Sequence, residues 1–252
     1  LQKISKFKLN LTAGKAFALG LGLLLTQSFW TQSFLTDALS APAWAAVKDE
    51  TTKETESADE LKNGLKYSHS AGYQKEFSAA VKKGRDFIEK YLKENKNIDP
   101  SSLAVVSDID ETILDNRAYM EEKAKAAVKA VDWSGWEDWM AKAEAKPLPQ
   151  SIALLKFARS KGIAVFLITG RQEHMRRATI ANLIKAGIVY DGLYMRKDHD
   201  RTAASQIKPE YRKQIEDMGY KILVNIGDQE SDLSGGYSLS AEKLPNKMYT
   251  IK

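Results

Sequence analysis

From Pro100 onward the chain alternates short apolar runs with amphipathic stretches, and this alternation restricts the fold more than any other feature. Residues 103–106, 164–168, 192–195, 222–226 and 248–251 read as five strands. Between them, residues near 151–161, 174–186 and 209–218 read as helices. Short, nearly continuous apolar strands separated by helices are the pattern of an α/β fold, a parallel sheet covered on both faces. Upstream, Phe77, Val81, Phe87, Ile88, Tyr91 and Leu92 recur at helical spacing until Asn95, Asn97 and Pro100 end the pattern, which predicts a packing helix.

In such sheets ligands bind beyond the carboxyl ends of the strands, so those positions carry the functional reading. The first strand runs into Ser107-Asp108-Ile109-Asp110-Glu111-Thr112. Its two carboxylates reach one site if the chain stays extended through Ile109 or turns sharply there. The second strand ends Thr169-Gly170-Arg171, a hydroxyl and then a glycine that lets backbone N–H groups approach an anion. The fourth ends Gly227-Asp228-Gln229-Glu230-Ser231-Asp232. Taken singly these are a solvated turn, a helix cap and a loop cap. In this order, at three strand ends, they form one set.

That set resembles the haloacid dehalogenase (HAD) superfamily. Residues 107–116, 148–171, 198–208, 227–232 and the closing Lys243-Leu244-Pro245-Asn246-Lys247-Met248-Tyr249 resemble its acid phosphatase branch, subfamily IIIB, with the plant vegetative storage proteins and bacterial class C acid phosphatases. The resemblance implies a HAD-type Rossmannoid sheet with a small helical cap around 115–147. It implies hydrolysis of small-molecule phosphate monoesters, with Asp108 as nucleophile and Asp110 as general acid and base. It further implies Mg2+ held by Asp108, the carbonyl of Asp110, Asp228 and Asp232. Thr169, Gly170 and a lysine, Lys208, would hold the phosphate, and a homodimer is one arrangement it suggests. Pro209 and Lys247 depart from the branch, which often has serine and proline there.

The chemistry is coherent with the residue types. A carboxylate that attacks phosphorus must approach a dianionic ester, and a cation that prefers oxygen ligands neutralises both partners. Tyr119, Trp133, Trp136 and Trp139 fall in the cap region, where packing is the ordinary use and stacking on a substrate the functional one. Lys208 is separated from Lys213 by helical phase. A helix beginning at Pro209, with Tyr211, Ile215 and Met218 on its buried face, puts Lys208 at its entrance and Lys213 in solvent.

The flanking sequence speaks to location. Lys3, Lys6, Lys8 and Lys15, an apolar run over 16–25 and Ala43-Trp44-Ala45-Ala46 have the parts of a secretory signal, with cleavage expected after Ala45. The apolar run is short for a membrane span, so an exported, periplasmic or secreted protein without stable membrane association is expected, with an uncleaved membrane anchor as the alternative that the long stretch over 25–45 leaves open. A polar tether would fill 46–70, and the catalytic domain 71–252. Removing residues 1–45 takes four lysines and Asp37 from 38 basic and 33 acidic residues, leaving 34 against 32. That near-balance is no footprint for a nucleic-acid polymer. With no cysteine and three histidines, none in an Arg-His-Gly context, disulfides, thiolate metal sites and histidine-dependent phosphatase chemistry are excluded. The rival readings are a storage protein of the same fold and a phosphotransferase; the Asp at position 108 favours an enzyme.

Overall fold

The structure is a computed structural model that describes residues 57–251; the expected leader and the first part of the expected tether lie outside the described residues. Five parallel strands form the central sheet in the order β5-β4-β1-β6-β7: β1 (Leu103–Ser107), β4 (Ala164–Gln172), β5 (Gly192–Arg196), β6 (Lys221–Gly227) and β7 (Ser240–Lys243). Residues of β1 alternate between two hydrophobic clusters, because successive side chains of a strand point to opposite faces. Val105 packs with Phe77 and Ile88 of α2 (Ala71–Glu94) and with Leu154 and Leu155 of α5 (Pro149–Ser160). Ala104 and Val106 pack instead with Ile215 of α7 (Ala204–Asp217). Leu183 of α6 (Arg176–Lys185) joins the first cluster, so both faces are covered. Among the described residues no helix is long and apolar enough to cross a membrane.

Four expectations change. The fifth strand is Ser240–Lys243, paired with β6 from Val224↔Ser240 to Gly227↔Lys243, and not 248–251. Met248 and Tyr249 are buried, but beneath the cap. Helix α7 begins at Ala204, five residues before Pro209, which lies inside it. Met218 caps that helix at 56% exposure, outside the buried face it was assigned to. Finally, the polar stretch read as a tether is helical from Ala58: α1 (Ala58–Ser68) starts with a capping box between Ser57 and Glu60.

The insert that follows β1 is closed at its base by a short antiparallel pair, β2 (Leu114–Asp115) with β3 (Lys146–Pro147). It carries α3 (Arg117–Ala126) and α4 (Trp136–Lys142). Leu61 and Leu65 of α1, Tyr119, Met120 and Ala124 of α3, Val131, Met248 and Tyr249 form one cluster there. Burying two leucines contributes about 3–6 kcal/mol toward seating this polar helix of eleven residues. At Gly64 the contact is so close that a Cβ would lie 2.0 Å from the Lys247 carbonyl oxygen.

Candidate active site

The peptide N–H of Asp108 donates to the Ile226 carbonyl at 3.0 Å, carrying the β1/β6 pairing one residue beyond the strand. The chain then turns sharply. The N–H groups of Ile113 and Leu114 both donate to the Ile109 carbonyl at 2.9 Å, and Glu111 takes a left-handed φ of 56°. A non-glycine residue in that region is uncommon and marks a backbone held by its surroundings. Here Glu111 is buried; one carboxyl oxygen accepts from the Asn116 N–H at 3.1 Å and the other from the Tyr249 hydroxyl.

Asp108, Asp228 and Asp232 are buried, and each offers an oxygen within 4.8 Å of the others'. Lys208 reaches them from the second turn of α7 and is buried too; its ammonium donates to Asp108 Oδ1 at 2.7 Å and to Asp232. Lys213 is exposed and pairs with Asp217 at 2.7 Å, so the lysines divide as expected, although the helix begins earlier. Gly227 allows this crowding: a Cβ there would lie 2.4 Å from the Asp232 side chain.

Asp228 is fixed by four donors. Thr112 Oγ1 donates to Oδ1 at 3.3 Å, Gln229 Nε2 and Asn246 Nδ2 donate to Oδ2 at 2.6 and 2.7 Å, and Lys243 caps its carbonyl. The Asp232 carbonyl accepts from Arg212 at 2.6 Å and Asn225 at 2.8 Å. Arg212 is fully buried and also binds the Ser234 and Gly236 carbonyls, which fixes the loop after α8 (Glu230–Leu233) beside Pro209.

On the other side of Asp108, β4 has an irregular register between Thr169 and Gln172, and such bulges re-aim side chains. Thr169 is buried, its Oγ1 accepting from the Arg171 N–H at 3.2 Å, while Gly170 is exposed with nothing within 4 Å of where a Cβ would sit. Arg171 is buried and forks onto Asp110, with Nη2 to Oδ1 at 2.7 Å and Nε to Oδ2 at 3.0 Å. Asn116 Nδ2 donates to the same Oδ1 at 2.9 Å.

Five carboxylates (Asp108, Asp110, Glu111, Asp228 and Asp232) thus converge with two buried cations, Lys208 and Arg171. Burial and then the charge of Asp232 push the Asp108 carboxyl well above the usual range, against the pull of Lys208. Burial, Asp232 and Glu111 push Asp228 up to about 7. Burial and Asp110 push Glu111 up to about 8. Burial alone would depress the Lys208 ammonium, but Asp108 and Asp232 outweigh it and hold it raised. Carboxylates that raise one another in this way are what a cation relieves, and the all-oxygen donor set of Asp108, Asp228 and Asp232 fits a hard divalent ion.

Of the aromatics, Tyr119 is 3% exposed, donates its hydroxyl to the Trp133 carbonyl at 2.8 Å, and lies 5.0 Å from the Trp136 ring. It packs the cap and presents no face to a substrate. Trp133, Trp136 and Trp139 are half-buried around it.

Arg171, Asn116, Glu111, Tyr249 and Asn246 are the site residues that motif reading passed over. Arg171 closes the Thr-Gly-Arg motif, and its place just beyond the apolar run 164–168 is the signal the sequence offers. Tyr249 lies 138 residues from Glu111 in sequence, and no local pattern joins them.

Comparison with known proteins agrees with this geometry. The family model for the HAD superfamily, subfamily IIIB (acid phosphatase), matches residues 26–252. Acid phosphatase 1 of Solanum lycopersicum is 32% identical over 88% of this chain and 82% of its own length. A stem 31 kDa glycoprotein of Glycine max is 33% identical over 57% of the chain and 58% of its own length. Among solved structures, the class C acid phosphatase from Bacillus anthracis with tungstate bound aligns at a TM-score of 0.61 and 26% identity, covering 77% of this chain and 86% of that one. The chain belongs to the HAD superfamily, subfamily IIIB, the acid phosphatases.

Proposed function

We propose that this protein hydrolyses small phosphate monoesters through a phosphoryl group carried on Asp108, and that it works as an exported acid phosphatase. One observation carries the reading: the Lys208 ammonium is clamped between Asp108 and Asp232 in a buried carboxylate cluster at the strand ends. Asp108 Oδ attacks phosphorus as the ester P–O bond breaks, and Asp110 gives its proton to the departing oxygen. Asp110 then takes a proton from the water that attacks the aspartyl-phosphate, releasing inorganic phosphate and restoring Asp108. Lys208 and Thr169 hold the transferring oxygens, with Gly170 leaving room for the anion. Asp108, Asp228, Asp232 and the Asp110 carbonyl would hold Mg2+, which supplies positive charge against the dianionic ester when bound. Asp108 is retained in this chain, which supports catalysis over storage. The tungstate in the Bacillus anthracis structure, a tetrahedral oxyanion, is in keeping with a phosphate-sized anion site.

The deciding experiment is to quench turnover rapidly and map the phosphoryl group by mass spectrometry. A hydroxylamine-labile phosphate on Asp108, dependent on a divalent cation and absent from Asp108→Asn, is the expected result. Turnover with no such adduct, or undiminished in Asp108→Asn, refutes the assignment.

A further inference from the structure

The cap bears a hydrogen bond that leads into the site. Asn116 is fully buried at the base of α3, and its side chain bridges two groups: Nδ2 donates to Asp110 Oδ1 and Oδ1 accepts from the Trp139 indole Nε1, each at 2.9 Å. Indole N–H is a donor with no acceptor capacity, so the Asn116 oxygen must face Trp139. The amide nitrogen is thereby turned to Asp110. Arg171 holds the same carboxylate from β4, so Asp110 is gripped from the sheet on one side and from the cap on the other.

We propose that Trp139 of the cap, acting through Asn116, is a positioning residue for Asp110, so that seating of α4 and orientation of the proton-transferring carboxylate are one event. The proposal rests on the acid–base reading of Asp110. It gives Trp139 a polar task separate from stacking on a substrate. The ring packs beside Tyr119, 6.3 Å away, and against the Met140, Met175 and Met195 cluster, which set where the indole lies and hence where its N–H points. Without that N–H the Asn116 amide is free to rotate, and Asp110 loses one of the donors that fix its plane.

The test compares Trp139→Phe, which keeps an aromatic ring and removes the N–H, with the parent enzyme and Asp110→Asn. The readout is kcat/KM on an alkyl phosphate relative to kcat/KM on 4-nitrophenyl phosphate, whose leaving group needs no proton. This ratio reports the first bond-breaking step and cancels losses common to both substrates. The ratio is expected to fall about three- to tenfold in Trp139→Phe, the worth of one hydrogen bond, and further in Asp110→Asn. Asn116→Ala should show the same direction. If Asp110→Asn shifts the ratio and Trp139→Phe leaves it unmoved, the positioning role is overturned and the acid assignment stands. If Asp110→Asn itself leaves the ratio unmoved, the acid assignment fails and the proposal with it. A loss in Trp139→Phe that is equal on both substrates marks a packing or stacking residue and overturns the proposal as well.

Discussion

Replacing Lys208 by alanine removes a cation from a place where little else can substitute for it. Its side chain is 8% exposed and lies between Asp108 and Asp232, with Asp228 adjoining them. Breaking one partner out of a buried ionic contact costs about 3–5 kcal/mol, because the charges left behind are unsolvated. The Asp108 carboxyl already sits well above its ordinary range, so it can take up a proton in the variant and soften the loss. The expectation is therefore the low end, about 3 kcal/mol, which lowers the melting temperature of a domain this size by roughly 6–12 °C in chelator. Turnover should fall about a hundredfold or more, as when a donor to transferring oxygens is deleted. Lys213→Ala is the control on the same helix. Its pair with Asp217 is exposed at 47% and 61%, where solvent screens an i,i+4 contact to little net worth, so melting and turnover should hardly move. Phosphate release and scanning calorimetry on both variants decide it. Turnover in Lys208→Ala within about tenfold of the parent, or a larger loss in Lys213→Ala, refutes the assignment.

Three further outcomes are expected. Asp108→Asn should abolish phosphate release while leaving circular dichroism unchanged, and retention of more than a few per cent, roughly a 2 kcal/mol loss, removes it as nucleophile. In chelator the protein should melt at higher temperature at pH 5 than at pH 8.5. Burial and neighbouring carboxylates push Asp228 up to about 7 and Glu111 up to about 8 in the fold from ordinary values of 3.8 and 4.5, so their contribution is full below the ordinary values and is lost as pH rises through the folded ones. A divalent cation should flatten that fall, and a melting temperature that rises with pH in chelator contradicts the sign. Tyr249→Phe should cost about 1–3 kcal/mol by denaturant titration, because it strips a donor from the buried Glu111 carboxyl; a neutral result means that contact contributes nothing net.

Much of the site was legible because the strands that carry it are apolar on both faces and end abruptly in polar residues. Asp108, Thr169 and Asp228 each stand directly after such a run, or within its last turn of chain. Edge strand β7 gave no such signal: Ser240-Ala241-Glu242-Lys243 pairs on one side only, and most of it is not buried. The β-prone Met248 and Tyr249 drew the assignment away, yet their burial comes from the cap cluster. For α1 the signal existed in Ser57 and Glu60, three apart, with Leu61 and Leu65 on one face, but polar composition outweighed it. The side of the helix expected for Lys208 holds, but the helix start expected at Pro209 does not. Pro209 suits a first helical turn, but here it sits inside α7, packed over the Gly235 turn that Arg212 ties down. That tertiary contact is invisible to helix propensity. The bridging role of Asn116 depends equally on partners from α4 and from the turn after β1.

The cluster shared by α1, the cap and residues 248–249 has a consequence for how activity is lost. Segments that precede and follow the sheet in sequence hold the cap helix α3 between them, so this part of the molecule is expected to open as a unit before the sheet does, a difference that amide hydrogen exchange would read. Tyr249 belongs to that unit and also bonds to Glu111 in the turn between the first-strand aspartates and the cap. Opening it therefore removes a restraint from the Asp110 side of the site at the same moment as it frees the roof. A chain shortened to the start of α2 leaves Asp108, Asp228 and Asp232 in the polypeptide and keeps all five strands, yet takes away the α1 side of the cap's support. A polar helix that touches none of the carboxylates thus helps to hold the roof over them.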